Sequence, residues 1–295
     1  MEKDIVAPKS WEDLVSSFEE DLLRKGRSEN CSAAYVLTIK QFATFCSKNG
    51  RHEKPRVFRL QEKDLNEFFE YLKVSRCLSQ NSLNRSISAL KAFSVYLLEK
   101  EWNRKDIAKD LRRSVVPVKT NYKRITAKEI QKMQESVKLN FRYGLRDLVI
   151  MQLFLRCGLL VNEVAALSCD DVILSANKSF IRVHSGKNGA YREVPVKAPL
   201  RNLLERYLST RGTTERGEPL FLSNRGVRIS MQSLKYIAKK YLCLAGRPDL
   251  TPSDLRHNFA LTTYEKTNDL HLVKELLGHK NISTTSRYLE VQTSK

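Results

Sequence analysis

Residues 101–124 constrain this chain more than any other stretch. They contain RKDIAKDLRRSVVPVKTNYKR, with weak apolar periodicity, one proline and eight Lys+Arg against three Asp+Glu. Such a segment reads as a connector rather than a core element, so it divides the chain into two foldable parts. A length of 295 residues exceeds that of a typical single domain and fits the same division. The expected organisation is a helical domain over 1–102, a basic linker over 103–124 and a second domain over 125–295. At 41% hydrophobic residues, both parts have material for a core.

The formal net charge of +19 is unevenly placed. Residues 1–100 carry 17 Lys+Arg against 14 Asp+Glu, whereas residues 125–295 carry 27 against 16. Positive charge gathered in the connector and the C-terminal part points to a polyanion, with DNA or RNA ahead of a membrane surface because no lipid-binding amphipathic segment accompanies it. A solvated basic surface kept for solubility is the plainer alternative. No run of 18 apolar residues is present, so no membrane span or membrane partner is expected. The start, MEKDIVAPKS, lacks an apolar secretory core. Six cysteines (31, 46, 77, 157, 169 and 243) form no CxxC pair, so neither a zinc site nor a disulfide framework is expected. These features together suggest the cytoplasm.

Helical spacing dominates the first hundred residues. Trp11, Leu14, Val15, Phe18 and Leu22 follow Ser10, an N-cap candidate with Asp13 three residues on. Tyr35, Ile39, Phe42 and Phe45 mark a second helix, Leu65, Phe68, Phe69 and Leu72 a third, and Leu83, Ile87, Leu90, Phe93 and Leu97 a fourth. The aromatics are spaced as a core rather than as a base-stacking surface. Arg85 and Lys91 fall on the polar side of the fourth helix, where they are candidates for phosphate contact together with Arg112, Arg113, Lys123 and Arg124 of the connector. Beyond Thr126 and Glu129, a capping-box pair, residues 145–156 are apolar nearly all round and read as a buried helix. Alternation over residues 180–184 and 191–196, around SGKNGA, predicts a β-hairpin. Further helices are expected over roughly 198–210, 231–245, 253–265, 269–277 and 282–290. The fold class is mainly α with a small antiparallel sheet.

The last forty-five residues carry the chemistry. They read TPSDLRHNFALTTY, then LHLVKELLGHKNISTTSRYLEV. Leu255-Arg256-His257, Leu276-Leu277-Gly278-His279 and Thr284-Thr285-Ser286-Arg287-Tyr288 resemble, in order and spacing, the C-terminal signature of the tyrosine recombinase and phage integrase family, especially its Xer-like members. GLLVNEVAAL resembles the family's GLRxxE segment, HSGKNGAYREVPV its lysine hairpin, and SLNRSISALKAFSVYL part of its helical core-binding (SAM-like) domain.

The resemblance implies a site-specific DNA recombinase. A tyrosine hydroxyl attacks a phosphodiester, leaving a 3′-phosphotyrosine and a free 5′-hydroxyl, with no cofactor and no metal. Negative charge grows on the non-bridging oxygens, where a preorganised guanidinium is best suited to stabilise it. Matched residue by residue, Tyr288 would be the nucleophile, and Arg256 and His279 would bind the phosphate. Lys187 would be the general acid, Glu163 a buttress, and His257 a structural support. Lys187 at a hairpin tip and Glu163 at a helix start also have ordinary structural explanations.

Two positions depart from the pattern. Leu160 stands where the family has its first arginine, and Ser253 where it has the histidine of HxLR. Serine still donates a hydrogen bond, whereas leucine removes a charge. One lost transition-state donor costs about 3–4 kcal/mol, roughly 10²–10³ in rate. Compensation by Arg156 or Arg192, an attenuated recombinase helped by an accessory protein, and an inactive DNA-binding architectural homologue all stay open. So does a type IB topoisomerase, which shares the chemistry but fits the motif spacing less well. The family also implies a clamp on a double-stranded recombination site, with dimers on a site and tetramers in synapsis.

Overall fold

The computed structural model describes residues 8–48, 55–116, 123–137, 143–175, 177–184, 191–212 and 216–286. The chain divides into two compact units, Met1–Pro117 and Val118–Lys295.

The first unit is built on α1 (Trp11–Arg24), α2 (Glu29–Lys48), α3 (Glu62–Glu70) and α4 (Gln80–Glu99), the four helices that the spacing predicts. Ser10 caps α1 reciprocally. Its Oγ accepts from the Asp13 N–H at 3.0 Å, and the Asp13 carboxylate accepts from the Ser10 N–H at 3.2 Å. Phe18, Phe42, Phe68, Phe93 and Tyr96 are fully buried and meet mostly edge-on or tilted, so these aromatics form the core. Packing continues past residue 102. Trp102, Ile107, Ala108 and Leu111 join the same core, and Asn103 Nδ2 donates to the carbonyls of Val57 and Leu60 at 3.0 Å each. The apolar residues of 103–111 are too sparse to show a helical period, yet each one meets the core. The first half of the basic connector is therefore part of the first unit.

The second unit holds α5 (Ala127–Glu135), α6 (Gly144–Cys157), α7 (Val161–Ala166), a three-stranded sheet, α8 (Ala198–Arg211), α9 (Met231–Leu244), α10 (Pro252–Thr267), α11 (Leu270–Leu277) and α12 (Ile282–Ser286). Helix α6 is buried almost all round, as its composition requires. The sheet is antiparallel, in the order β1 (Val172–Leu174), β2 (Ser179–His184), β3 (Tyr191–Pro195). The hairpin registers Val183 on Arg192 and Ile181 on Val194. Strand β1, with three residues, is too short to show alternation in the sequence.

Two devices place the helix that matters most. Thr251 Oγ1 caps α10, and the Asp254 carboxylate accepts from both the N–H (2.8 Å) and the hydroxyl (2.6 Å) of Thr251. Helix α6 ends on Gly158 at φ +60°, where an added Cβ would lie 2.4 Å from Cδ1 of Phe259. The chain can turn there, and α10 can approach that closely, only without a side chain. No helix among the described residues is long and apolar enough to cross a membrane.

Candidate active site

Arg256 lies one turn into α10 and is 5% exposed. A buried guanidinium must be oriented by acceptors. Nη1 donates to the Gly158 carbonyl at 2.8 Å, and Nη2 donates to the Leu277 carbonyl at 2.6 Å and to His279 Nε2 at 3.2 Å. The C-terminal ends of α6 and α11 thus supply two of the acceptors, and the glycine after each helix lets the chain turn away (Gly158, and Gly278 at φ +69°).

Glu163 sits in the first turn of α7, which Leu160 opens. Its carboxylate accepts the Leu160 N–H at 2.7 Å and lies 3.6 Å from Arg256 Nη1. It also takes a two-pronged pair from Arg192, at 2.8 and 2.9 Å. Arg192 Nε donates to the Leu276 carbonyl at 2.7 Å, and the side chain crosses Gly278, whose absent Cβ would meet Nη1 at 2.8 Å. All three nitrogens of Arg192 are engaged, so this residue ties β3 to α7 and α11.

His279 completes the cluster. Burial, then the Arg256 and Arg192 cations, push its pKa down to about 4, with Glu163 opposing. The imidazole is therefore neutral near pH 7. Its Nδ1 lies 2.9 Å from the hydroxyl of Thr285, which is fully buried.

Four elements thus bring together Arg256, His279, Glu163 and Arg192. The other candidates differ in exposure and in partners. Ser253 is exposed in the first turn of α10. His257 is half-buried, and burial lowers its pKa. Arg156 is exposed and bonded through Nε to Gln152 of its own helix, at 2.5 Å. Leu160 presents a 39% exposed side chain with no donor. Tyr288 and Lys187 lie outside the described residues.

In the first unit, Arg85 is exposed and Lys91 half-exposed on α4. Arg112 and Arg113 are exposed on the segment that follows the core. That segment is laid along α4: Arg113 donates to Ser88 at 2.6 Å, and Asn84 and Ser114 exchange hydrogen bonds at 2.8 and 3.1 Å. Lys123 and Arg124 are paired with Asp249 (3.3 Å) and Glu265 (2.8 Å), so part of their charge is spent within the second unit.

The model of the phage integrase family matches residues 123–295, and that of the family's N-terminal SAM-like domain matches residues 14–104. The tyrosine recombinase XerC of Herpetosiphon aurantiacus is 32% identical over 278 residues, covering 92% of this chain and 88% of the relative. The chain belongs to the phage integrase family of tyrosine recombinases. Tyrosine recombinase XerA of Pyrococcus horikoshii is likewise 32% identical, over 95% of this chain and 90% of its own. The fold matches XerH bound to its difH substrate in a pre-cleavage complex, with a TM-score of 0.72 at 23% identity, over 97% of this recombinase and 84% of that chain. It also matches a lambda integrase dimer bound to a COC′ core site, with a TM-score of 0.69 at 17% identity, over 96% and 78%. Members of this family cleave and rejoin DNA strands.

Sequence reasoning undervalued two residues of the recombinase. Arg192, weighed only as a stand-in cation, shares the inward face of β3 with Val194, and a charge on an apolar face demands a partner. That was the available signal. Thr285 belongs to a quoted motif, but nothing in the sequence marks its hydroxyl as buried.

Proposed function

We propose that this recombinase acts on a double-stranded DNA site, with Tyr288 as nucleophile and Lys187 as general acid. Arg256 and His279 hold the phosphate, and exposed Ser253 adds a neutral donor. Glu163 and Arg192 brace Arg256, while His257 has a supporting, structural role. The observation that carries this reading is the buried Arg256 guanidinium, fixed by two carbonyls and an imidazole before any ligand arrives. Two guanidinium groups, one carboxylate and a neutral imidazole leave the cluster one positive charge in excess, which one phosphodiester anion neutralises. Such a cation reorganises little as charge moves onto the phosphoryl oxygens.

The basic residues Arg85, Lys91, Arg112 and Arg113 of the first unit contact the backbone of the same duplex, with smaller contributions from Lys123 and Arg124. Dimers occupy a site and tetramers form in synapsis, in the cytoplasm. The two-domain division supports this reading: the first domain binds, and the second binds and cuts. Selecting sites from random duplexes at two salt concentrations, then placing two copies on a plasmid, tests the proposal. Deletion or inversion between the copies is expected, together with binding that weakens steeply with salt. Salt-dependent binding without rearrangement, or plasmid relaxation independent of the selected site, would contradict it.

A further inference from the structure

Helix α7 carries the carboxylate that joins Arg192 to Arg256, yet it is too short to hold itself in place. It has six residues, where an isolated helix needs about 12–15, and only Val164 among them is fully buried. Its two ends therefore decide where Glu163 stands. At the first end, the Glu163 carboxylate accepts the Leu160 N–H at 2.7 Å. At the other end, the last carbonyls of a helix have no partner inside it. Arg228 supplies one. Its Nη1 donates to the carbonyls of Ala165, Ala166 and Leu167 at 3.2, 2.8 and 2.9 Å, and its Nη2 donates to Ser168 Oγ at 3.2 Å. A cation there also suits the negative end of the helix. The backbone that carries this guanidinium is itself tied down. Leu222 and Arg228 pair across a turn, and the Ile229 N–H donates to the Phe221 carbonyl at 3.0 Å.

We infer that Arg228 is a positioning residue of the recombination site: by gathering the C-terminal carbonyls of α7 it holds Glu163, and through Glu163 it sets Arg192 and Arg256. Each link is a contact within the second unit. Glu163 takes the pair from Arg192 at 2.8 and 2.9 Å and lies 3.6 Å from Arg256 Nη1. Without the guanidinium, α7 keeps Val164 in the core but loses the partner of its last carbonyls, one turn beyond Glu163. A misplacement of about 1 Å at a reacting group can cost roughly a hundredfold in rate, even when its origin is remote. A direct contact between exposed Arg228 and the DNA backbone predicts something different, namely weaker binding and a shallower salt slope.

The inference rests on the reading of Arg256 as the phosphate-holding cation, and two measurements on the full-length chain keep the two apart. The first is covalent adduct formation on a nicked site at saturating DNA, with affinity measured at two salt concentrations. Arg228→Met should slow the adduct roughly ten- to a hundredfold with affinity and salt slope unchanged, and Arg228→Lys, whose ammonium still carries three donors, should recover most of the rate. In a Glu163→Gln background, Arg228→Met should slow the reaction less than about twofold further, because the link it acts through is already cut. The second measurement is hydrogen exchange without DNA, in which the amides of α7 should exchange faster in Arg228→Met and near the wild-type rate in Arg228→Lys. A rate loss that persists in full beside Glu163→Gln, a loss of affinity with the saturated rate intact, or unchanged exchange in α7 overturns the inference. A wild type that forms no adduct counts against the functional reading, and the exchange of α7 then decides the role of Arg228.

Discussion

Arg192 and Gly278 explain each other. The arginine reaches Glu163 by crossing a backbone that has no Cβ, and the glycine sits at φ +69° where a side chain is strained. Arg192→Met leaves a nearly buried carboxylate facing one guanidinium instead of two. It should destabilise the second unit by about 3 kcal/mol in urea unfolding, with Arg192→Lys in between. Gly278→Ala should cost about 1–3 kcal/mol in the same measurement. His279 makes a prediction of opposite character. Its pKa is about 4 in the fold against 6.5 when free, so the unfolded chain binds more protons between those values. Its stabilisation is complete above the free value and is lost as pH falls through this window; His257, also lowered, acts with the same sign. Urea midpoints should therefore drop from about pH 7 to about pH 4.5, and the slope should flatten in His279→Gln. At this scale the motif was legible in the sequence as residue types. Which hydroxyl meets which ring nitrogen was not, because that depends on contacts between α10, α11 and α12.

Helices were the most legible elements, because each repeats an apolar stripe over several turns and several begin on a capping residue such as Ser10 or Thr126. Strand β1 escaped notice because three residues cannot show a period. The packed part of the connector escaped because Ile107, Ala108 and Leu111 are scattered among charges. Element junctions carry the site. Gly158 ends α6, offers its carbonyl to Arg256 and lies against Phe259 of α10. Gly158→Ala should destabilise by roughly 2–4 kcal/mol, combining backbone strain with overpacking, and Phe259→Leu in the same chain should relieve part of that loss. The start of α7 gives a gain-of-function prediction. Leu160 is exposed, and its N–H already touches the Glu163 carboxylate. Leu160→Arg should add a third cation, beside Arg256 and Arg192, and raise the rate of strand cleavage at least about tenfold. An unchanged rate would count against matching this position to the family's first arginine.

For the whole molecule, two separately packed units and a charge of +19 were legible from length, periodicity and composition. Membership in the tyrosine recombinases follows from ordered motifs that span both units. What composition could not show is how the charge is used. Lys123 and Arg124 answer acidic partners inside the second unit, whereas Arg85, Arg112 and Arg113 remain exposed on the first. The central claim is that a site with leucine at 160 and serine at 253 still drives tyrosine attack, because Arg256 is held in place in advance. A nicked suicide substrate traps the product of that attack, so the most direct measurement is a denaturing gel of protein and substrate, followed by peptide mapping of any covalent species. The account predicts a 3′-phosphate adduct on the peptide containing Tyr288 that is absent in Tyr288→Phe. Tight binding with no adduct, or an adduct that persists in Tyr288→Phe, would contradict it.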